Sequence, residues 1–173
     1  PYSEESLAVV AANIAQVQNR LRRPLLIENP STYLRFAQST LSEVEFLNAL
    51  VRRTGCGLLF DVNNVYVTCR NLGGDPLAWI EGLPADAVRE LHLAGHAIND
   101  ADGVEILIDD HGSRVSPAVW DLYERAVARF PAAATLIEWD SNLPPLTVLV
   151  GEAQEADHRW RSVHKEVGYA VAA

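Results

Sequence analysis

"GLLFDVNN", residues 57–64, decides how the chain folds. Gly57, Leu58, Leu59 and Phe60 form a short apolar run, and Asp61, Val62, Asn63 and Asn64 follow at once. A brief continuous apolar run with a polar stop reads as a buried strand. A strand apolar at both alternating positions is covered on both faces, which is the habit of parallel sheets. The same grammar recurs along the chain. Leu25, Leu26 and Ile27 close on Glu28-Asn29, and Val88 to Leu93 carries His92 with Gly95-His96 after it. Val104 to Ile108 runs into Asp109-Asp110-His111-Gly112, and Thr135, Leu136 and Ile137 close on Glu138, with Asp140 two residues on. The sequence thus predicts five strands, near positions 25, 58, 90, 106 and 136.

Helix signals fill most of the intervals. Ser3 is an N-cap, and Leu7, Val10, Ile14, Val17 and Leu21 recur at spacings of three and four until Pro24. Ser42 to Glu45 is a capping box for a helix that stops near Gly55. Asp75-Pro76 and Ser116-Pro117 each pair an N-cap with proline at the first helical position. Pro144-Pro145 opens a last helix. Strand and helix alternation predicts an α/β fold with a parallel sheet. Two forms fit: an open doubly wound sheet, or a partial (β/α)8 TIM barrel of about five β/α units lacking its first strands. No Gly-x-Gly-x-x-Gly follows the first strand, so the dinucleotide-binding form has no support. Residues 1–173 read as one domain.

Composition narrows the function. With 14 Lys and Arg against 23 Asp and Glu the net charge is −9, which argues against nucleic-acid binding. The run from Arg20 to Arg23 sits where a helix ends and suits its dipole. No stretch approaches the ~20 apolar residues of a membrane span. Cys56 and Cys69 make neither a CxxC nor a zinc-finger spacing, so a reducing cytoplasm is the expected setting. The chain opens Pro1-Tyr2 and contains no Met, which reads as a fragment or as a chain whose beginning is not shown.

Every predicted strand ends in a residue able to bind a metal: Glu28, Asp61 with Asn63 and Asn64 behind it, His92, Asp109 with His111, and Glu138. Parallel α/β folds assemble their sites at the carboxyl ends of strands. A lone Asp or His there is usually a turn residue or a satisfied polar group, but five strand ends of one kind form a pattern. Neighbouring carboxylates repel and resist desolvation, and a cation removes both penalties. Oxygen and imidazole donors without thiolate fit Fe, Mn or Zn, and the donors are enough for two or three ions. Asp61 and Asp109 are candidates to bridge neighbouring ions. Strand alternation puts Asp109 and His111 on one face and turns Asp110 to the other. His96, four residues beyond His92, is a candidate orienter or proton carrier, and His96 and Asp110 complete the candidate catalytic set.

Five segments carry a resemblance: "RPLLIENPSTYLRF", "TGCGLLFDVNNVYV", "ELHLAGH", "LIDDHGSRVSPAVWDLY" and "TLIEWDSNLPPL". Their order and spacing resemble the multinuclear non-heme iron-dependent oxidases, a bacterial family with a xylose-isomerase-like TIM barrel. The segment Pro1 to Leu7 is similar to one that follows the family's early strands, so the resemblance implies the C-terminal portion of a barrel. It also implies O2-dependent modification of cysteine in a peptide at two or three irons, often with a partner protein that presents the peptide. Glu28, Asp61, His92, Asp109, His111 and Glu138 fall on the family's metal-binding motifs, with Asn63 or Asn64 joining them. Asp110 stands where the family often has Thr. Two other readings stay open: a metal-dependent hydrolase, endonuclease or isomerase of the wider xylose-isomerase-like class, and an inactive metal-binding fragment.

Overall fold

The computed structural model describes residues 1–170. Helix α1 (Glu4–Leu21) leads through a left-handed Arg22 to strand β1 (Leu26–Glu28). Helix α2 (Glu43–Thr54) follows, held by the Ser42–Glu45 capping box and closed by Gly55 at φ 67°. Strand β2 (Gly57–Asp61) passes directly into helix α3 (Val62–Leu72), which the sequence reading did not separate. Asp61 is both the last strand residue and the N-cap, its Oδ1 accepting from Asn64 N at 2.7 Å. Helix α4 (Pro76–Gly82), strand β3 (Val88–Leu93), strand β4 (Ala97–Ala101) and strand β5 (Val104–Ile108) come next. Helix α5 (Pro117–Arg129), strand β6 (Ala134–Ile137) and helix α6 (Leu146–Ala170) complete the order.

Four strands form one parallel sheet in the order β1-β2-β3-β6. The expectation of a fifth parallel strand at 104–108 is overturned, because β5 pairs antiparallel with β4 in a separate hairpin. Asp102 (φ 55°) and Gly103 (φ 81°) are both left-handed, and a two-residue Asp-Gly loop of that kind is the tightest hairpin turn. The apolar run 104–108 therefore answers to the turn before it rather than to the sheet. Asn71 clamps the hairpin to α3, its side chain donating to Leu107 O at 2.8 Å and accepting from Leu107 N at 2.9 Å.

Sheet order in sequence with right-handed crossovers puts the connecting helices on one face. That face carries Ile27, Leu58, Phe60, Leu91, Leu93 and Ile137, packed with Val119, Tyr123, Ala126 and Phe130 of the α5 region into the main core. A second core joins α1, α2 and Cys56 through Leu7, Ile14, Phe46 and Leu50. The apolar face of α1 is buried as far as Ile14, and Val17 and Leu21 beyond it remain exposed. The other face of the sheet carries, by register and alternation, Leu59, Asp61, Glu90, His92, Ala134 and Leu136. Leu136 and Ala134 are exposed there, so the described residues cover one face of the sheet and leave the other open.

Candidate metal centre

The carboxyl ends of all four parallel strands meet. One donor atom from each of Glu28, Asp61, His92 and Glu138 lies within 4.8 Å of the others. The parallel register produces this, because Asp61 pairs with His92 and Glu138 N extends the ladder by donating to Leu93 O at 2.9 Å. A second group of the same kind joins His111, Glu138 and Asp140. The residue common to both groups is Glu138, where the sequence pointed to Asp61 and Asp109 as the shared carboxylates.

His111 reaches this place by a different route from the one expected. Asp109, Asp110 and His111 lie beyond β5, so strand alternation does not apply to them. His111 is left-handed at φ 44°, a conformation unusual for a residue other than glycine and one that clusters at functional sites. Its carbonyl accepts from Asp140 N at 2.8 Å, which ties the loop after β5 to the loop after β6. Tyr33 Oη accepts from Asp109 N at 2.8 Å and holds the other side. Asp110 faces none of the donors: its Oδ1 accepts from Gly112 N at 3.3 Å and its carbonyl from Ser141 Oγ at 2.9 Å.

Asp109 stands outside both donor groups. Its Oδ1 is 2.7 Å from His111 Nε2 and accepts from Asn63 Nδ2 at 2.6 Å. Asn63 Oδ1 in turn accepts from His96 Nδ1 at 2.8 Å. An amide oxygen has no proton to give, so Nδ1 of His96 is the donor here, and in the neutral ring the lone pair is on Nε2. Asn64 Nδ2 donates to Asn29 O at 3.0 Å and Glu28 Oε1 at 3.3 Å, and its own Oδ1 is buried without a partner. Asn63 thus has its amide oxygen engaged and Asn64 has its oxygen free. Asn29, which the sequence reading passed over, is almost fully buried and clamps the backbone of Asp61. It accepts from Asp61 N at 2.9 Å and donates to Asp61 O at 3.0 Å.

The electrostatics are those of an anionic pocket short of positive charge. Burial raises the Asp61 carboxyl to about 7. Burial, then the charge of Glu138, raises Glu28. Burial acts to lower His111, but contact with Asp109 and the charges of Asp109, Asp61 and Glu138 outweigh it and push the ring up to about 9. Burial also acts to lower His92, and Glu90 and Glu138 outweigh it and raise the ring. Burial lowers His96. Among the described residues, four of the seven buried side-chain atoms without a hydrogen-bond partner are here: Asp61 Oδ2, Asn64 Oδ1 and both ring nitrogens of His111. His111 Nε2 is close to Asp109 but not aligned with it. Buried polar atoms are normally satisfied, and a cation satisfies oxygens and ring nitrogens together, so the residues present fit a metal. A cavity of about 540 Å³, lined by Thr135, Ile137, Trp139 and Trp160 among others, lies behind β6 on the helix-covered side and is not the space these donors share.

A family model described as "RiPP precursor modification enzyme MbnB/TglH/ChrH" matches residues 1–161. A UPF0276 protein of Paraburkholderia phytofirmans is 52% identical over 159 residues, covering 91% of this chain and 52% of the relative. UPF0276 proteins of Vibrio vulnificus and Caulobacter vibrioides are 50% and 48% identical, over 91% and 92% of this chain and 54% and 56% of their own lengths. The chain spans about half the length of the curated relatives it matches.

Proposed function

We propose, from the premise that this chain belongs to the MbnB/TglH/ChrH family of RiPP precursor modification enzymes, that it is the iron-binding portion of an O2-dependent oxidase acting on cysteine in a ribosomally made peptide. The observation that carries the reading is the convergence of Glu28, Asp61, His92 and Glu138 from four strand ends, with His111 and Asp140 sharing Glu138. In this reading Glu28, Asp61, His92 and Glu138 hold one iron. Glu138, His111 and Asp140 hold a neighbour, and the free oxygen of Asn64 supplies a further donor. Asp109 holds Asn63, which in turn orients His96. Iron bound there supplies the one-electron chemistry that O2 requires.

The chain's own residues supply the rest. Asn63 holds the proton of His96 on Nδ1, leaving neutral Nε2 as a base for a substrate proton. Asp110 closes the Gly112 turn that carries His111. The single domain is the later part of a TIM barrel, whose remaining strands cover the open sheet face and add donors. A parallel sheet with one face uncovered supports this, since such sheets are normally covered on both sides. The cysteine peptide, a protein that presents it and a cytoplasmic setting belong to the same proposal. No helix among the described residues is long and apolar enough to cross a membrane.

The test is to purify the intact protein without oxygen, measure its metals, and add O2 and a cysteine-containing precursor peptide. The expected result is at least two irons per chain and a mass change on the peptide that depends on O2. Zinc alone, with phosphodiesterase activity and no peptide product, would sink the reading.

A further inference from the structure

We propose that Glu90 is a positioning residue that fixes which nitrogen of His92 faces the metal centre, an inference that rests on His92 being a ligand. Glu90 and His92 are two residues apart on β3 and share the open face of the sheet. Nδ1 of His92 lies 2.9 Å from Oε2 of Glu138, a fellow member of the four-residue donor group. Nε2 is turned back down the strand and lies 3.1 Å from Glu90 Oε1. Glu90 belongs to neither donor group, so it is placed to act on the ring rather than on the ion. Its ion-pair partner among the described residues is His92.

The strand neighbours of Glu90 in register are Leu59 and Ala134, both apolar, so neither side chain at its level competes for the carboxylate. A neutral imidazole that offers the Nδ1 lone pair to a cation keeps its proton on Nε2. Glu90 accepts that proton's hydrogen bond, which selects this tautomer, sets the ring plane and makes Nδ1 a stronger donor. Asp61 and Glu28 have no equivalent choice, because carboxylates need no tautomer selected. Glu90 is therefore the one residue of β3 through which the strand itself orients the ligand it carries.

The experiment compares wild type, Glu90→Ala and Glu90→Gln in the intact protein, with Zn2+ as a diamagnetic probe. Affinity is read by competition with a chelator, and the His92 nitrogens by 15N NMR. Glu90→Ala is expected to weaken Zn2+ binding by about 10- to 100-fold and to lose the single Nε2-protonated form. Glu90→Gln keeps an oxygen that accepts from Nε2 and is expected to lose less on both readouts. Thermal melting of the metal-free variants separates this from misfolding. An Ala variant with unchanged affinity and an unchanged His92 spectrum overturns the role of Glu90, as does His92 binding Zn2+ through Nε2. Wild type that binds no Zn2+ overturns the metal reading itself, and Glu90 with it.

Discussion

Replacing Asp61 by Asn separates the two jobs of this side chain. Oδ1 caps α3 from 2.7 Å, and Asn caps helices about as well as Asp. Oδ2 is buried without a partner. Burial raises the carboxyl from 3.8 to about 7, so the metal-free fold holds this proton more tightly than the unfolded chain does. The stability this contributes is complete below the unfolded value, declines as pH rises and is gone above about 7. At roughly 1.4 kcal/mol per pH unit, the buried ionised carboxylate then costs on the order of 4 kcal/mol. The favourable effect of its charge on the helix dipole is smaller, at about 0.3–1 kcal/mol. Asn never ionises and escapes the larger cost.

In the presence of chelator at pH 8 the Asn variant is therefore expected to melt above wild type, by on the order of 10 °C at ~2–4 °C per kcal/mol. At pH 5 the gain is expected to be less than half as large, because only about a third of the interval between the two pKa values has been crossed. Added metal reverses the ranking, since it stabilises wild type and not the variant. Thermal melts at both pH values, with chelator and with metal, make the comparison. A variant that melts below wild type in chelator at pH 8, or that gains as much from metal as wild type does, refutes the reasoning.

Protonated His111, raised to about 9, gives the metal-free fold stability that is complete below pH 6.5 and lost as pH rises through 9. Metal must displace that proton, so affinity should increase steadily from pH 6.5 to 9. Calorimetry in buffers of different ionisation enthalpy checks this, and flat affinity over the interval with no proton release contradicts it. Glu138→Gln should remove both metal positions and Asp140→Asn only one, read as metal equivalents per chain; equal losses would break the assignment of Glu138 as the shared ligand. Glu152, nearly buried, accepts from Arg114 Nη1 at 2.6 Å and Val115 N at 3.1 Å and anchors the segment after His111 to α6. Glu152→Ala leaves the buried Val115 N–H unpaired and should cost about 1–3 kcal/mol in chemical denaturation.

The sequence made the parallel sheet legible because its strands are short, apolar and closed by an acid or, in β3, a histidine, and because Ser42, Asp75 and Ser116 are the N-caps they resemble. Helix α3 was hidden since its cap, Asp61, is also the last residue of β2, leaving no polar gap between the two elements. The hairpin is hard to read from sequence because Val104 to Ile108 is apolar enough for a buried strand, while the informative residues are Asp102 and Gly103 just before it. At the site, strand alternation was the wrong reason for bringing Asp109 and His111 together. A left-handed backbone at His111 does it, and φ is not written in a residue other than glycine. Glu90 was readable by period-two alternation from His92, but its role depends on which ring nitrogen faces it, and that takes coordinates.

Anomalous diffraction at the iron edge, from crystals of the intact protein loaded and grown without oxygen, tests the central claim most directly. The account expects two iron peaks about 3.5–4 Å apart on either side of the Glu138 carboxylate. One of them should be bounded by Glu28, Asp61 and His92, and the other by His111 and Asp140. Loaded crystals with no iron between these side chains, or with Glu138 turned away from every ion, would contradict it.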